Sequence, residues 1–107
     1  MAVQKYHNIT GSTGVDVELL APGDQVSAIK SITLSNVRAS NDATISLFIR
    51  SQVLNKSFYI LSTVNLPFNS SLVLDKDDIP SFSNTVNGYG LYITVGSSDT
   101  VDVIINT

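Results

Sequence analysis

The chain has 107 residues, no cysteine, a net charge of −3 and only 14% charged residues, against about 25% in an ordinary domain. That length gives one domain over residues 1–107. The lack of cysteine excludes a disulfide framework, and the acidic balance leaves no basic footprint for nucleic acid. The six basic residues, Lys5, Lys30, Arg38, Arg50, Lys56 and Lys76, are scattered.

Mean hydropathy is +0.22, yet no apolar run approaches the roughly 20 residues that span a bilayer. Residues 1–10 lack the apolar stretch of a secretory signal. The expectation is therefore no membrane segment. The apolar surplus is assigned to strands and to surfaces that other subunits cover.

In chain order, residues 3–9 and 15–20 are the weaker strand candidates, separated by Gly11 and Gly14. Residues 1–20 read either as edge strands or as an arm that contacts a partner. Ala21-Pro22-Gly23-Asp24 follows, with Pro presetting φ and Gly supplying the positive φ of a type II turn. Over 26–36 the period is two. Val26, Ala28, Ile32 and Leu34 share a face, and Ser27, Ser31, Thr33 and Ser35 the other, the mark of a half-buried strand. Lys30 interrupts the apolar face and is placed near an edge. Residues 43–50 repeat the pattern, with Ala43, Ile45, Leu47 and Ile49 against Thr44, Ser46, Phe48 and Arg50.

Residues 57–64 are rich in aromatic and β-branched side chains, and 71–75 form a short strand. At 89–95, Leu91, Ile93 and Val95 oppose Tyr92 and Thr94; at 100–106, Val101, Val103 and Ile105 align. The linker Gly96-Ser97-Ser98-Asp99 reads as a four-residue hairpin loop. The longest irregular stretch, 76–88, reads as a functional loop or as a crossover between sheets. Only 76–79 has room for a helical turn. About eight short strands with turn residues between them predict an all-β antiparallel sandwich, jelly-roll-like in count.

Candidate chemistry is sparse. His7 is the only histidine, and zinc usually takes three or four His, Cys or carboxylate ligands. Asp75, Asp77 and Asp78 form an acidic run without the spacing or glycine of a calcium loop, so they read as side chains capping a turn. No phosphate-binding glycine motif occurs. Asn8, Asn55 and Asn69 head Asn-x-Ser/Thr triplets, which a chain this rich in Asn, Ser and Thr produces by chance. No catalytic residue, cofactor or metal is expected, and the chain is read as a non-enzyme. Most aromatic rings are assigned to packing. Tyr59, Tyr89 and Tyr92 are the candidates for a sugar platform, if the domain binds carbohydrate.

Three blocks carry a resemblance. The first is Ser35-Asn36-Val37-Arg38-Ala39-Ser40-Asn41-Asp42-Ala43-Thr44-Ile45-Ser46-Leu47-Phe48-Ile49. The second runs from Phe58-Tyr59-Ile60-Leu61 through Val64 and Leu66-Pro67 to Ser71-Leu72-Val73-Leu74-Asp75. The third is Tyr89-Gly90-Leu91-Tyr92-Ile93 with Gly96, Asp99 and Val101-Asp102-Val103-Ile104-Ile105. Together they resemble the small β-sandwich virion proteins of tailed bacteriophages, especially phages of cyanobacteria and marine bacteria. These are strand-and-turn patterns, and they bring no family site residues.

The resemblance implies a virion structural protein assembled in the host cytoplasm, whose reducing conditions suit a chain without cysteine. A capsid decoration or cement protein is the first expectation, bound to the major capsid protein and forming a dimer or trimer. A neck, tail or fibre component is the second. A carbohydrate-binding module is the rival from another class. The candidate partner contacts are Val3, Tyr6 and His7 near the N-terminus, Phe48, and Ile79, Pro80 and Phe82 in the long loop.

Overall fold

A computed structural model describes residues 4–11, 16–21, 29–37, 41–51, 53–79, 88–96 and 99–106. Eight strands account for most of them: β1 (Gln4–Thr10), β2 (Asp16–Leu20), β3 (Ser31–Asn36), β4 (Ala43–Ser51), β5 (Lys56–Leu66), β6 (Ser71–Asp75), β7 (Tyr89–Val95) and β8 (Thr100–Asn106). They form two antiparallel four-stranded sheets, ordered β1-β8-β3-β6 and β2-β7-β4-β5. No helix occurs among the described residues.

Alternation builds the core. Ile32, Leu34, Val101, Val103 and Ile105 of one sheet and Leu47, Leu91 and Ile93 of the other are completely buried. They belong to a single apolar cluster. Burying each such side chain is worth roughly 1.5–3 kcal/mol, and β-branched residues suit the pleated surface. On the outer face of the first sheet, short polar side chains pair across strands. Ser35 Oγ lies 2.8 Å from Ser71 Oγ, and Asn106 Nδ2 donates to Ser31 Oγ at 2.9 Å. The Ser/Thr-rich composition thus becomes a ladder of cross-strand hydrogen bonds.

The connections differ from expectation in one respect. Residues 96–99 do not close a hairpin, because β7 and β8 belong to different sheets. The short linker crosses between sheets, and local bonds secure its ends. Thr44 N–H donates to Asp99 Oδ2 at 3.2 Å, Gly96 N–H to Thr44 O at 2.9 Å and Gly11 N–H to Asp99 O at 2.8 Å. Gly11 is needed here because a Cβ would run into the Gly96 carbonyl oxygen. The β4–β5 connection is the one between consecutive strands that stays within a sheet. The segment from β6 to β7 joins the two sheets; its Pro80 and Phe82 lie outside the described residues, as does Val3.

Strand β5 is the longest, at 11 residues, and forms an edge of its sheet. Two register shifts interrupt its pairing with β4, between Ile45 and Leu47 and between Leu47 and Phe48. The extra residues let Ile60 and Leu61, adjacent in sequence, both pack against the core. At the other bulge Thr63 adopts φ 52° and its N–H donates to Ser46 Oγ at 2.9 Å.

Candidate functional site

The outer face of the β2-β7-β4-β5 sheet carries a row of side chains in register: Glu18, Tyr92, Phe48 and Tyr59, one from each strand. Phe48 stacks on Tyr92 with centroids 5.8 Å apart and an interplanar angle of 13°, and meets Tyr59 at 5.0 Å. The Arg50 guanidinium lies over the Phe48 and Tyr92 rings, at 5.1 and 5.2 Å. This places a cation on two electron-rich ring faces. From there Arg50 Nη2 reaches Asp16 Oδ2 at 2.6 Å, and Nε donates to Ser57 Oγ at 3.1 Å. One side chain on β4 therefore spans β7 to reach β2 and also ties down β5.

This geometry corrects the assignment of Phe48 as a partner contact. Alternation places it on the outer face, but its exposure is 0%, because the neighbouring rings and Arg50 cover it. Ile79 is likewise buried in the apolar cluster. Tyr59 and Tyr92 share the outer face, but Tyr89 pairs with Ser51 and packs against the core side, near Phe58 at 6.0 Å. The three tyrosines do not form one platform. Tyr92 is 6% exposed and its hydroxyl donates to Glu18 Oε2 at 3.0 Å, whereas Tyr59 is 58% exposed.

The carboxylates on this face are engaged. Asp16 Oδ1 accepts from Thr94 Oγ1 at 2.9 Å while Oδ2 holds Arg50. At the far end of β5, Asp42 accepts from Phe68 N–H at 3.0 Å and from Asn65 Nδ2 at 3.2 Å. In the acidic run, Asp78 Oδ2 accepts from Asp75 N–H at 3.1 Å, a turn cap. No group of three or more His, Asp or Glu stands ready to hold a metal among the described residues.

Near the N-terminus, Tyr6 is exposed on the edge strand β1 and His7 is half-buried. Both border a groove of about 360 Å³ with Asn8, Asp102, Val103 and Ile104. The His7 Nε2 is enclosed without a hydrogen-bond partner among the described residues.

The surface that sequence reasoning missed is the β4–β5 end of the second sheet. Half of the eight large apolar side chains exposed among the described residues lie within seven residues there: Val53, Leu54, Phe58 and Tyr59. The signal was present as Val53-Leu54 in a turn, where apolar side chains have little local reason to occur. Comparison with protein-family models, with curated proteins and with solved structures returns no match. No helix among the described residues is long and apolar enough to cross a membrane.

Proposed function

We propose that this chain is a non-enzymatic structural protein that works by assembling with other chains, and that it decorates or cements the capsid of a tailed bacteriophage. The observation that carries the assembly reading is the concentration of exposed Val53, Leu54, Phe58 and Tyr59 at one end and edge of a sheet. Phe58 pairs with core-facing Ile49 and Tyr59 with outer-face Phe48, so the exposed rings flank this edge from both faces, and apolar surface so placed supports contact with another macromolecule. The strand order supports a jelly-roll reading. Each strand of the series β1-β8-β3-β6 faces a sheet ordered β2-β7-β4-β5, so the chain alternates between layers except at the β4–β5 connection. Viral capsid domains use this architecture, and so do lectins.

The virion assignment itself rests on the sequence resemblance and on fold-level analogy. Its partners are then the major capsid protein and further copies of the chain, with a neck, tail or fibre position as the variant within the class. Particles produced by the genome that encodes the chain provide the test. Mass spectrometry of gradient-purified particles is expected to find the chain in fixed ratio to the major capsid protein. Particles that lack it refute the virion reading.

The carbohydrate-binding alternative draws on one observation, the open Tyr59 ring seated on Phe48. It predicts binding on a glycan array that Tyr59→Ala abolishes. An array without signal removes it.

A further inference from the structure

Two of the three sheet edges other than β5 carry guards against pairing. Strand β2 has five residues, a register irregularity, and the carboxylates of Asp16 and Glu18. Strand β6 also has five residues and runs into Asp75, Asp77 and Asp78. Strand β1 has seven residues, a shorter ladder than β5 offers. Short length, charge and bulges are the devices that keep edges from pairing. Strand β5 has 11 residues, and from Ser57 to Leu66 it holds no charge and no proline. Its guards are Lys56 at one end and two bulges, and the bulges leave regular pairing on both sides, at Lys56–Tyr59 and at Val64–Leu66.

The charges at its two ends differ in sign. Lys56 opens the strand, and the Asp42 carboxylate is fixed at the other end by Asn65 and Phe68 N–H. An antiparallel copy of β5 sets Lys56 of each molecule beside the Asp42 end of the other. A parallel copy would set Lys56 beside Lys56. The edge is therefore complementary to itself in one orientation, which is the requirement of a two-fold interface. Two molecules of net charge −3 repel one another, and along this edge, uncharged from Ser57 to Leu66, that repulsion is least.

We propose that β5 pairs antiparallel with β5 of a second copy of this chain, about a two-fold axis near Leu61, and joins two sheets into one of eight strands. The pairing deepens the assembly reading, and it names the first partner as the chain itself. The exposed residues Val53, Leu54, Phe58 and Tyr59 flank the seam. Backbone hydrogen bonds supply the affinity and the end charges set the direction, as in strand addition generally.

Light scattering of the intact chain over a concentration series is the test. The expected result is a dimer that dissociates on dilution. Ser62 is exposed and lies next to the proposed axis. Ser62→Lys places two ammonium groups close together there and is expected to leave a folded monomer, with the far-ultraviolet circular dichroism unchanged. Lys56 is exposed too, and Lys56→Glu turns both end attractions into repulsions. It is expected to weaken the dimer several-fold at low ionic strength, an effect that fades with salt. A monomer at every concentration overturns the pairing. So does an oligomer that neither substitution changes, although that result leaves the assembly reading standing with its interface elsewhere.

Discussion

Thr63 is a β-branched residue held at φ 52° within a strand. The left-handed region costs an ordinary L-residue roughly 1–2 kcal/mol, and a β-branched side chain is among the least suited to it. The side chain is exposed, so little packing offsets the cost. The backbone N–H is held by Ser46 Oγ, a bond that any residue at this position keeps. Asn tolerates the region through its own local hydrogen bonding, and the chain already places Asn at its other two described left-handed non-glycine positions, Asn55 (φ 53°) and Asn69 (φ 59°).

Thr63→Asn is therefore expected to stabilise the fold by about 1 kcal/mol. Thr63→Gly should gain less, because Gly returns roughly 0.5–1 kcal/mol through its freer unfolded chain. The reverse change, Asn55→Thr, should cost a similar amount. Urea titration reads these as shifts of the midpoint at constant slope. In a thermal melt, 1 kcal/mol corresponds to about 4–8 °C for a domain near this size. All variants must be compared at one protein concentration, since self-association raises apparent stability. A lower midpoint for both Thr63→Asn and Thr63→Gly refutes the reasoning. It would mean that the threonine side chain supplies more at the bulge than the backbone loses.

Three further outcomes follow from contacts already described. Arg50→Lys keeps the charge but loses the planar fork that reaches Asp16 and Ser57 while lying on two rings. A loss of about 1–2 kcal/mol is expected from the ring contacts, and a double-mutant cycle of Arg50→Ala with Asp16→Ala should assign less than about 1 kcal/mol to the ion pair, which is only partly buried. Asn36 is 2% exposed and its Nδ2 bridges Asn41 O and Leu66 O at 2.9 and 3.0 Å. Asn36→Ala should cost about 1–3 kcal/mol by stranding a buried carbonyl, and an unchanged urea midpoint would contradict that. Gly11→Ala brings a Cβ against the Gly96 carbonyl and should lower the melting temperature by forcing these two backbone segments apart.

The strands were legible because alternation is a local signal. Ser71–Asp75, Tyr89–Val95 and Thr100–Asn106 fall where period two and the flanking turn residues put them. Pairing order was not legible. A four-residue linker between two strands reads as a hairpin, and only long-range packing sends β7 and β8 to different sheets. Phe48 shows the same limit. Alternation placed it outward correctly, but its burial comes from Tyr92, Tyr59 and Arg50, and the first two are recruited by strand pairing. Tyr89 was separable in principle, since period two already sets it on the opposite face from Tyr92. The register of β5 was hidden because two bulges shift the alternation within one strand.

The most direct test of the account is amide hydrogen exchange measured at protein concentrations above and below the association midpoint. Edge amides of an unpaired strand exchange readily, and pairing protects them. The account predicts that amides of β5 gain protection as concentration rises, while those of β1, β2 and β6 exchange alike at both. Protection that rises at another edge, or nowhere, contradicts it.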